Sequence, residues 1–359
     1  MIRVAEKNVY GDSLARENSI VPELLEAFDL LRGQLESRGI QARPFPQWEN
    51  QRPDLGVFFD CPKLDDPDLR RCQSLKIPIL LVVSENMHLQ PHPTYAEIKA
   101  LADRVLTYWE TEVDHQKVFW LPYGLDFEAG RNFRKSLPMG NRPYLLGMIN
   151  SWKKSEMPGD LYGRRNRLAI QAGILLQERM FLAGSGWDSH LVYAGKVQRS
   201  LAKRFPGLAR MLWRWPNPAY HGRLPLGDRK LTALAQCEFA LVPENCSSLP
   251  GYITEKIFNA LFAGCIPVYQ GHPDSNRWLP PQMFVPMDHF ASGAALVNFL
   301  QHMTPDKKAE FRQAGKKFLE SPPAIRFDAR TWVASIEEQI LALLPPEKKA
   351  TGFAVGTSA

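Results

Sequence analysis

The sequence predicts an α/β protein made of two doubly wound domains, and three observations carry that prediction. Short apolar runs alternate with segments of helical periodicity in both halves of the chain. A polar stretch with several Gly and Pro residues lies between the halves, at 126–143. The length, 359 residues, is enough for two ordinary domains that each bury their own core.

In the first half, residues 21–39 read as an amphipathic helix, with Leu24, Leu25, Phe28, Leu31 and Leu35 on one face. Residues 55–59 (LGVFF) and 77–83 (IPILLVV) are apolar runs of strand length. A further helix begins at 96–102, and 104–108 and 118–122 read as the strands after it. The first domain is placed at 1–125 and the linker at 126–143. The second domain, 144–328, opens with the strand YLLGMI at 144–149. It continues through a helix over about 165–175 and a strand near 180–182. A helix within 329–345 is expected to pack back across the domains, and the Gly-, Thr- and Ser-containing tail, 346–359, is expected to be disordered.

Composition narrows the function. With 45% hydrophobic and 23% charged residues, the chain is globular, and wholesale disorder is excluded. The net charge of +6 favours anionic small molecules or a membrane surface as partners. Its basic residues are dispersed and no nucleic-acid-reading motif is present, so nucleic acid is not expected. Five scattered cysteines, with no CxxC pair, fit reduced thiols rather than a disulfide framework. The first residues, MIRVAEK, lack the apolar core of a signal peptide, and no run is long enough to span a bilayer. A cytoplasmic protein is expected on this reading, in contact with the inner membrane at most peripherally.

The chemistry concentrates in residues 239–271. An apolar run, FALV, ends at Pro243 and leads into the polar set Glu244-Asn245-Cys246-Ser247-Ser248. An open α/β sheet places its ligands there, beyond the carboxyl ends of the strands. Thr254 is a natural helix N-cap, and Ile257, Ala260 and Leu261 recur at helical spacing. Gly264 ends the helix, and residues 265–269 supply the next strand. Glu255 and Lys256 thus fall in the first helical turn, where N–H groups, the helix dipole and a cation can meet a phosphate. Read from the helix start alone, Lys256 meets a phosphate or simply faces water.

The whole stretch FALVPENCSSLPGYITEKIFNALFAGCIPVYQG resembles the donor-site signature of the α1,3/α1,4-fucosyltransferases, which use GDP-fucose. The resemblance continues through HPDSNRWLPPQMFVPMDHF and covers roughly residues 75 to 335. It implies a GT-B fold, two Rossmann-like domains facing across a cleft, and an inverting transfer of fucose to a hydroxyl, with an α1,3 linkage favoured. Animal members typically carry an N-terminal Golgi anchor. Its absence here points to a bacterial-type enzyme acting on a surface glycan.

The resemblance also assigns residues. Lys256 and Arg165, the latter in YGRRNR at a helix start with Arg164 and Arg167 as neighbours, would neutralise the departing diphosphate. Asn245 and Glu255 suit nucleotide and sugar hydroxyls, and Tyr252 stands where the family has a tyrosine beside the donor. Glu244 is an alternative structural acid for the helix start. Glu85, directly after the apolar strand at 79–83, matches the general base of the family's Gly-Glu-Asn segment. Val83 and Ser84 replace the aromatic and glycine often found before it, and Glu97 and Asp126 are fallback acids. No metal-binding constellation is evident, so no divalent ion or other cofactor is expected to be required. Residues 197–223 interleave Arg and Lys with Trp213, Trp215 and other apolar side chains. They either pack on their own domain or lie on an anionic membrane, which would favour a glycolipid over a free oligosaccharide as acceptor.

Overall fold

The computed structural model describes residues 2–8, 22–84, 95–138, 140, 142–187, 204–205, 219–222 and 228–345. Within it the chain forms two α/β units. The first comprises residues 1–128, 249–253 and 322–359, the second residues 129–248 and 254–321.

The first unit is built on a parallel sheet of β1 (Ile2–Asn8), β2 (Ile40–Pro44), β3 (Leu55–Phe59), β4 (Ile79–Val83), β5 (Arg104–Thr107) and β6 (Val118–Trp120). Its strand order is β2-β1-β3-β4-β5-β6, with every pair parallel. β3 and β4 are buried at every position, as expected of strands covered on both faces. Leu31 and Leu35 of the helix Pro22–Ser37 join Leu55, Val57, Leu80 and Val82 in one core, as the helical periodicity predicts. That core is completed from the far end of the chain by Trp332, Val333, Ile336 and Ile340 of the helix Ala329–Leu343. β1 and β2 escape a reading by hydropathy, because β1 carries Glu6 and Lys7. Glu6 is nevertheless buried, with Arg32 of the first helix bonded to its carboxylate.

The second unit repeats the plan with β7 (Tyr144–Ile149), β8 (Met180–Ala183), β9 (Cys237–Leu241), β10 (Ile266–Tyr269) and β11 (Val285–Pro286), in the order β11-β10-β9-β7-β8. Alternation along β9 explains its two-sided burial. Phe239 and Leu241 enter one core with Leu146, Met148, Leu168, Leu296 and Leu300, while Ala240 and Val242 enter the other with Ala233, Leu234, Ala260 and Ala263. The helix Glu255–Phe262 is closed by Gly264, whose φ of +69° suits glycine after a helix end. The polar segment 126–143 carries the helix Phe127–Ser136. Its Arg134 donates to the Leu261 and Arg312 carbonyls, so this stretch is anchored by side chains that composition reads as solvated.

Both sheets have a switch point, where the chain reverses the direction in which strands are added: between β1 and β3, and between β7 and β9. Ligands of open α/β sheets sit beyond the strand ends at such points. The five cysteines are all buried thiols outside any disulfide. No helix among the described residues is long and apolar enough to cross a membrane. Of the basic aromatic segment 197–223, only residues 204–205 and 219–222 are described, and the tail 346–359 lies outside the described residues.

Candidate functional site: a charged cluster at the second switch point

β7 and β9 deliver their loops side by side. The N–H of Leu161 donates to the Asn245 carbonyl at 3.1 Å, and the N–H of Ser247 to the Gly159 carbonyl at 2.8 Å. The loop after β9 is thereby zipped to the loop that starts the helix Tyr162–Leu176. Asp160 accepts from the N–H groups of Tyr162 and Gly163 in the first helical turn and stabilises that start.

Arg165 lies one turn inside this helix and is 1% exposed, not solvated. Its guanidinium donates to Asn150 Oδ1 at 3.4 Å and to the Ser151 carbonyl at 3.0 Å, two residues that directly follow β7. Nε has no hydrogen-bond partner among the described residues. Burial pulls the group down to about 10, with Tyr162 and Asp160 acting against it, so it remains a cation at neutral pH. Its neighbour Arg164 turns the other way and donates to the carbonyls of Asp288 and Phe290. The two arginines therefore have different work, which the sequence YGRRNR leaves open.

The second cluster surrounds Glu244, which is fully buried. Its carboxylate accepts from the Thr254 N–H at 2.9 Å, the Thr254 hydroxyl at 2.8 Å and the Tyr269 hydroxyl at 3.3 Å. The Lys256 ammonium donates to the same carboxylate at 3.3 Å and to Thr254 Oγ1 at 2.8 Å. Thr254 occupies the N-cap position but makes no side-chain cap bond; its hydroxyl donates to Glu244 and accepts from the Lys256 ammonium instead. Burial pushes the Glu244 carboxyl up, against the pull of Lys256 and Thr254. Lys256 is thus neither loose in solvent nor isolated. It is a nearly buried cation whose place is set by a buried acid.

Glu255 opens the helix. Burial would raise its carboxyl, but Lys256, Lys230 and local hydrogen bonds outweigh it and hold the group down at about 2. Lys230, on the helix Asp228–Leu234, lies 3.6 Å from Glu255 Oε1. Sequence reasoning missed Lys230 and Tyr269, since neither belongs to a local pattern. Asn150 and Ser151 had a usable signal, their place directly after the apolar strand β7.

Tyr252 belongs to the first unit. Residues 249–253 cluster with the first unit, and the Tyr252 ring, 2% exposed, lies 5.1 Å from that of Tyr108. Gly251 before it has a φ of +78°, and a Cβ there would collide with the Tyr108 carbonyl, which explains the glycine of the Gly-Tyr pair. Glu85 lies outside the described residues. Ser84 just before it is held by Asp60, whose carboxylate accepts its N–H at 2.7 Å and its hydroxyl at 3.0 Å. Among the described residues, no group of three or more His, Cys, Asp or Glu could hold a metal ion.

The sequence model of the C-terminal part of glycosyltransferase family 10 (fucosyltransferase) matches residues 223–313. Residues 223–313 carry the family 10 signature. This stretch holds Glu244, Asn245, Tyr252, Glu255 and Lys256, which upholds the resemblance drawn from the sequence. The human 4-galactosyl-N-acetylglucosaminide 3-alpha-L-fucosyltransferase FUT6 is 43% identical over 89 residues, 24% of this chain and 24% of that protein. Human 3-galactosyl-N-acetylglucosaminide 4-alpha-L-fucosyltransferase FUT3 matches equally well, at 43% over 89 residues. The match thus spans about a quarter of these curated relatives, and it does not separate a 3- from a 4-transferase.

The solved structure of an α1,3-fucosyltransferase covers far more, 95% of this chain and 90% of that one, at 15% identity and a TM-score of 0.54. The same likeness, with a TM-score of 0.50, holds for an α1,3-fucosyltransferase solved with GDP-fucose. At such identity the likeness shows the fold, two parallel-sheet α/β units of the GT-B class.

Proposed function

We propose that the chain is an inverting fucosyltransferase, which moves fucose from GDP-fucose to a sugar hydroxyl. The observation that carries this reading is the pairing of two loops at the second switch point: the loop after β9, in the segment that matches family 10 and also holds Glu255 and Lys256, is hydrogen-bonded through Asn245 and Ser247 to the loop that leads into the helix of Arg165. Lys256 and Arg165 place positive charge where the leaving diphosphate gains negative charge, in a site with little water to screen them. Glu255 and Asn245 take donor hydroxyls. As the new bond forms between the acceptor oxygen and the anomeric carbon, the bond to the phosphate oxygen breaks and GDP departs. Glu85 takes the acceptor proton. No divalent metal is required on this reading, because the two cations do its work. Tyr252 is proposed to contact the donor.

The acceptor is proposed to be an oligosaccharide or glycolipid of a bacterial surface glycan, joined by an α1,3 or related linkage. The protein would work in the cytoplasm, with residues 197–223 touching the inner membrane. Calorimetric titration tests the donor first. GDP and GDP-fucose are expected to bind, and UDP-glucose far more weakly; equal affinities would overturn the assignment. Transfer assays over a glycan panel then read acceptor and linkage, and donor binding without any transfer would identify a catalytically silent glycan-binding protein instead.

A further inference from the structure

We propose that Lys230 is a positioning residue of the donor cradle, which fixes the Glu255 carboxylate for the donor hydroxyls. The inference rests on the reading of Glu255 as a donor ligand. A carboxylate that accepts from sugar or ribose hydroxyls has to stay ionised and keep one rotamer. Glu255 is the first residue of its helix, and the ammonium next to it, on Lys256, is committed to Glu244 and Thr254. Lys256 also acts on Glu255 through its charge, and a second cation pairs with the carboxylate from another helix: Lys230 Nζ stands 3.6 Å from Oε1, with the two side chains 10% and 12% exposed.

Lys230 holds that place through the core rather than through its neighbours in sequence. Ala233 and Leu234 of the same helix are buried with Ala260 and Ala263, which follow Glu255 on the opposing segment. The two helices are thus locked, and the lysine stem is carried to the carboxylate nearly dry. At this burial a charge pair is screened weakly, so it both orients Glu255 and keeps it ionised. The charged groups that face Glu255 are Lys230, Lys256 and, with like charge, Glu244. Removing Lys230 leaves one cation against one repelling carboxylate.

The test is GDP-fucose affinity by calorimetry between pH 5 and pH 8, on the full chain and four variants. Lys230→Met is expected to bind about thirtyfold more weakly at pH 8, the lower end for breaking a buried charge pair. Its loss should deepen toward pH 5, as Glu255 begins to take up a proton. Lys230→Arg should recover most of the affinity. The Lys230→Met/Glu255→Gln pair leaves no unmatched charge and carries the test if Lys230→Met does not fold; it should bind as Glu255→Gln alone does. A Lys230→Met loss that is equal at every pH, or that adds in full to that of Glu255→Gln, would overturn the inference and leave Lys230 a mere structural residue. Wild-type affinity in Glu255→Gln would instead remove the donor role of Glu255, and absence of GDP-fucose binding by the unaltered chain would remove the functional reading itself.

Discussion

The two sheets use the same device at their carboxyl ends, with different consequences. In the first unit Asp60, just past β3, is 4% exposed and accepts both the N–H and the hydroxyl of Ser84. In the second, Glu244, just past β9, accepts both the N–H and the hydroxyl of Thr254. Each buried acid pins the loop that leaves a neighbouring segment. Glu244 goes further, because it also binds the Lys256 ammonium and the Tyr269 hydroxyl. Asp60 adopts a φ of +67°, unfavourable for a residue with a Cβ, which its hydrogen bonds to Ser84 over-determine. One acid thus fixes backbone in front of the proposed base, whereas the other fixes a cation for the proposed leaving group. The comparison teaches that the same hydrogen-bond pattern serves geometry in one unit and electrostatics in the other.

The largest effect should come from the first unit's edge. Glu85→Gln keeps size and hydrogen-bonding reach but removes basicity, so transfer should fall ~10²–10⁴-fold while GDP affinity stays put. Steady-state kinetics alongside calorimetry reads both; full transfer activity in this variant would move the base to Glu97 or Asp126. On the second unit's side, Lys256→Ala should weaken GDP binding and cost transfer on the order of 2–4 kcal/mol of transition-state stabilisation. Unchanged kinetics in a folded Lys256→Ala protein would make the Glu244–Lys256 pair purely structural, and the contrast between the edges would collapse.

Glu255 sharpens the comparison through pH. Its carboxyl lies at about 2 in the fold against an ordinary 4.5, so the folded state binds fewer protons than the unfolded chain. The stability this supplies, about 3 kcal/mol at most, is present above 4.5 and is lost as pH falls from there through 2. Glu244 has the opposite sign: its raised carboxyl supplies stability at low pH that is lost as pH rises through its folded value. Chemical denaturation from pH 5 to pH 2 should therefore show a shallower loss in Glu255→Gln than in wild type. Equal slopes would mean that Lys230 and Lys256 do not hold the carboxyl down.

The smallest effects should come from the two clamps themselves. Asp60→Asn and Glu244→Gln each keep an acceptor for one hydrogen bond and lose the charge, at about 1–3 kcal/mol of stability. Only Glu244→Gln should also change GDP affinity, since of the two acids only Glu244 engages a cation of the proposed donor site. Parallel melting curves and GDP titrations on the two variants decide it, and an equal effect of both on GDP would erase the distinction.

How much of this was legible in the sequence depended on the range of the signal. Strands β3 to β10 follow from apolar runs, because burial on both faces writes itself as continuous hydrophobicity. The helix Glu255–Phe262 with Gly264 behind it follows from local turn chemistry, and so does the clustering of Glu244, Asn245, Glu255 and Lys256 in one short stretch. β1 was missed because its charge is neutralised by Arg32, a partner no local window contains. The helix inside 126–143 was missed because Arg134 finds its acceptors at Leu261 and Arg312, far along the chain.

By itself, then, the sequence determined the α/β alternation, the strand ends where ligands belong and the residues of the family 10 segment. Periodicity, strand burial and turn residues are properties of near neighbours, and a single chain displays them in order. Tertiary structure alone decided which charges meet. Packing of Ala233 and Leu234 against Ala260 and Ala263 set Lys230 on Glu255, and the β9–β10 pairing set Tyr269 on Glu244. It also separated Arg165 from Arg164 and grouped Tyr252 with Tyr108 in the first unit. Coulomb and hydrogen-bond energies depend on distance and burial, and neither is fixed until the core has brought distant segments together.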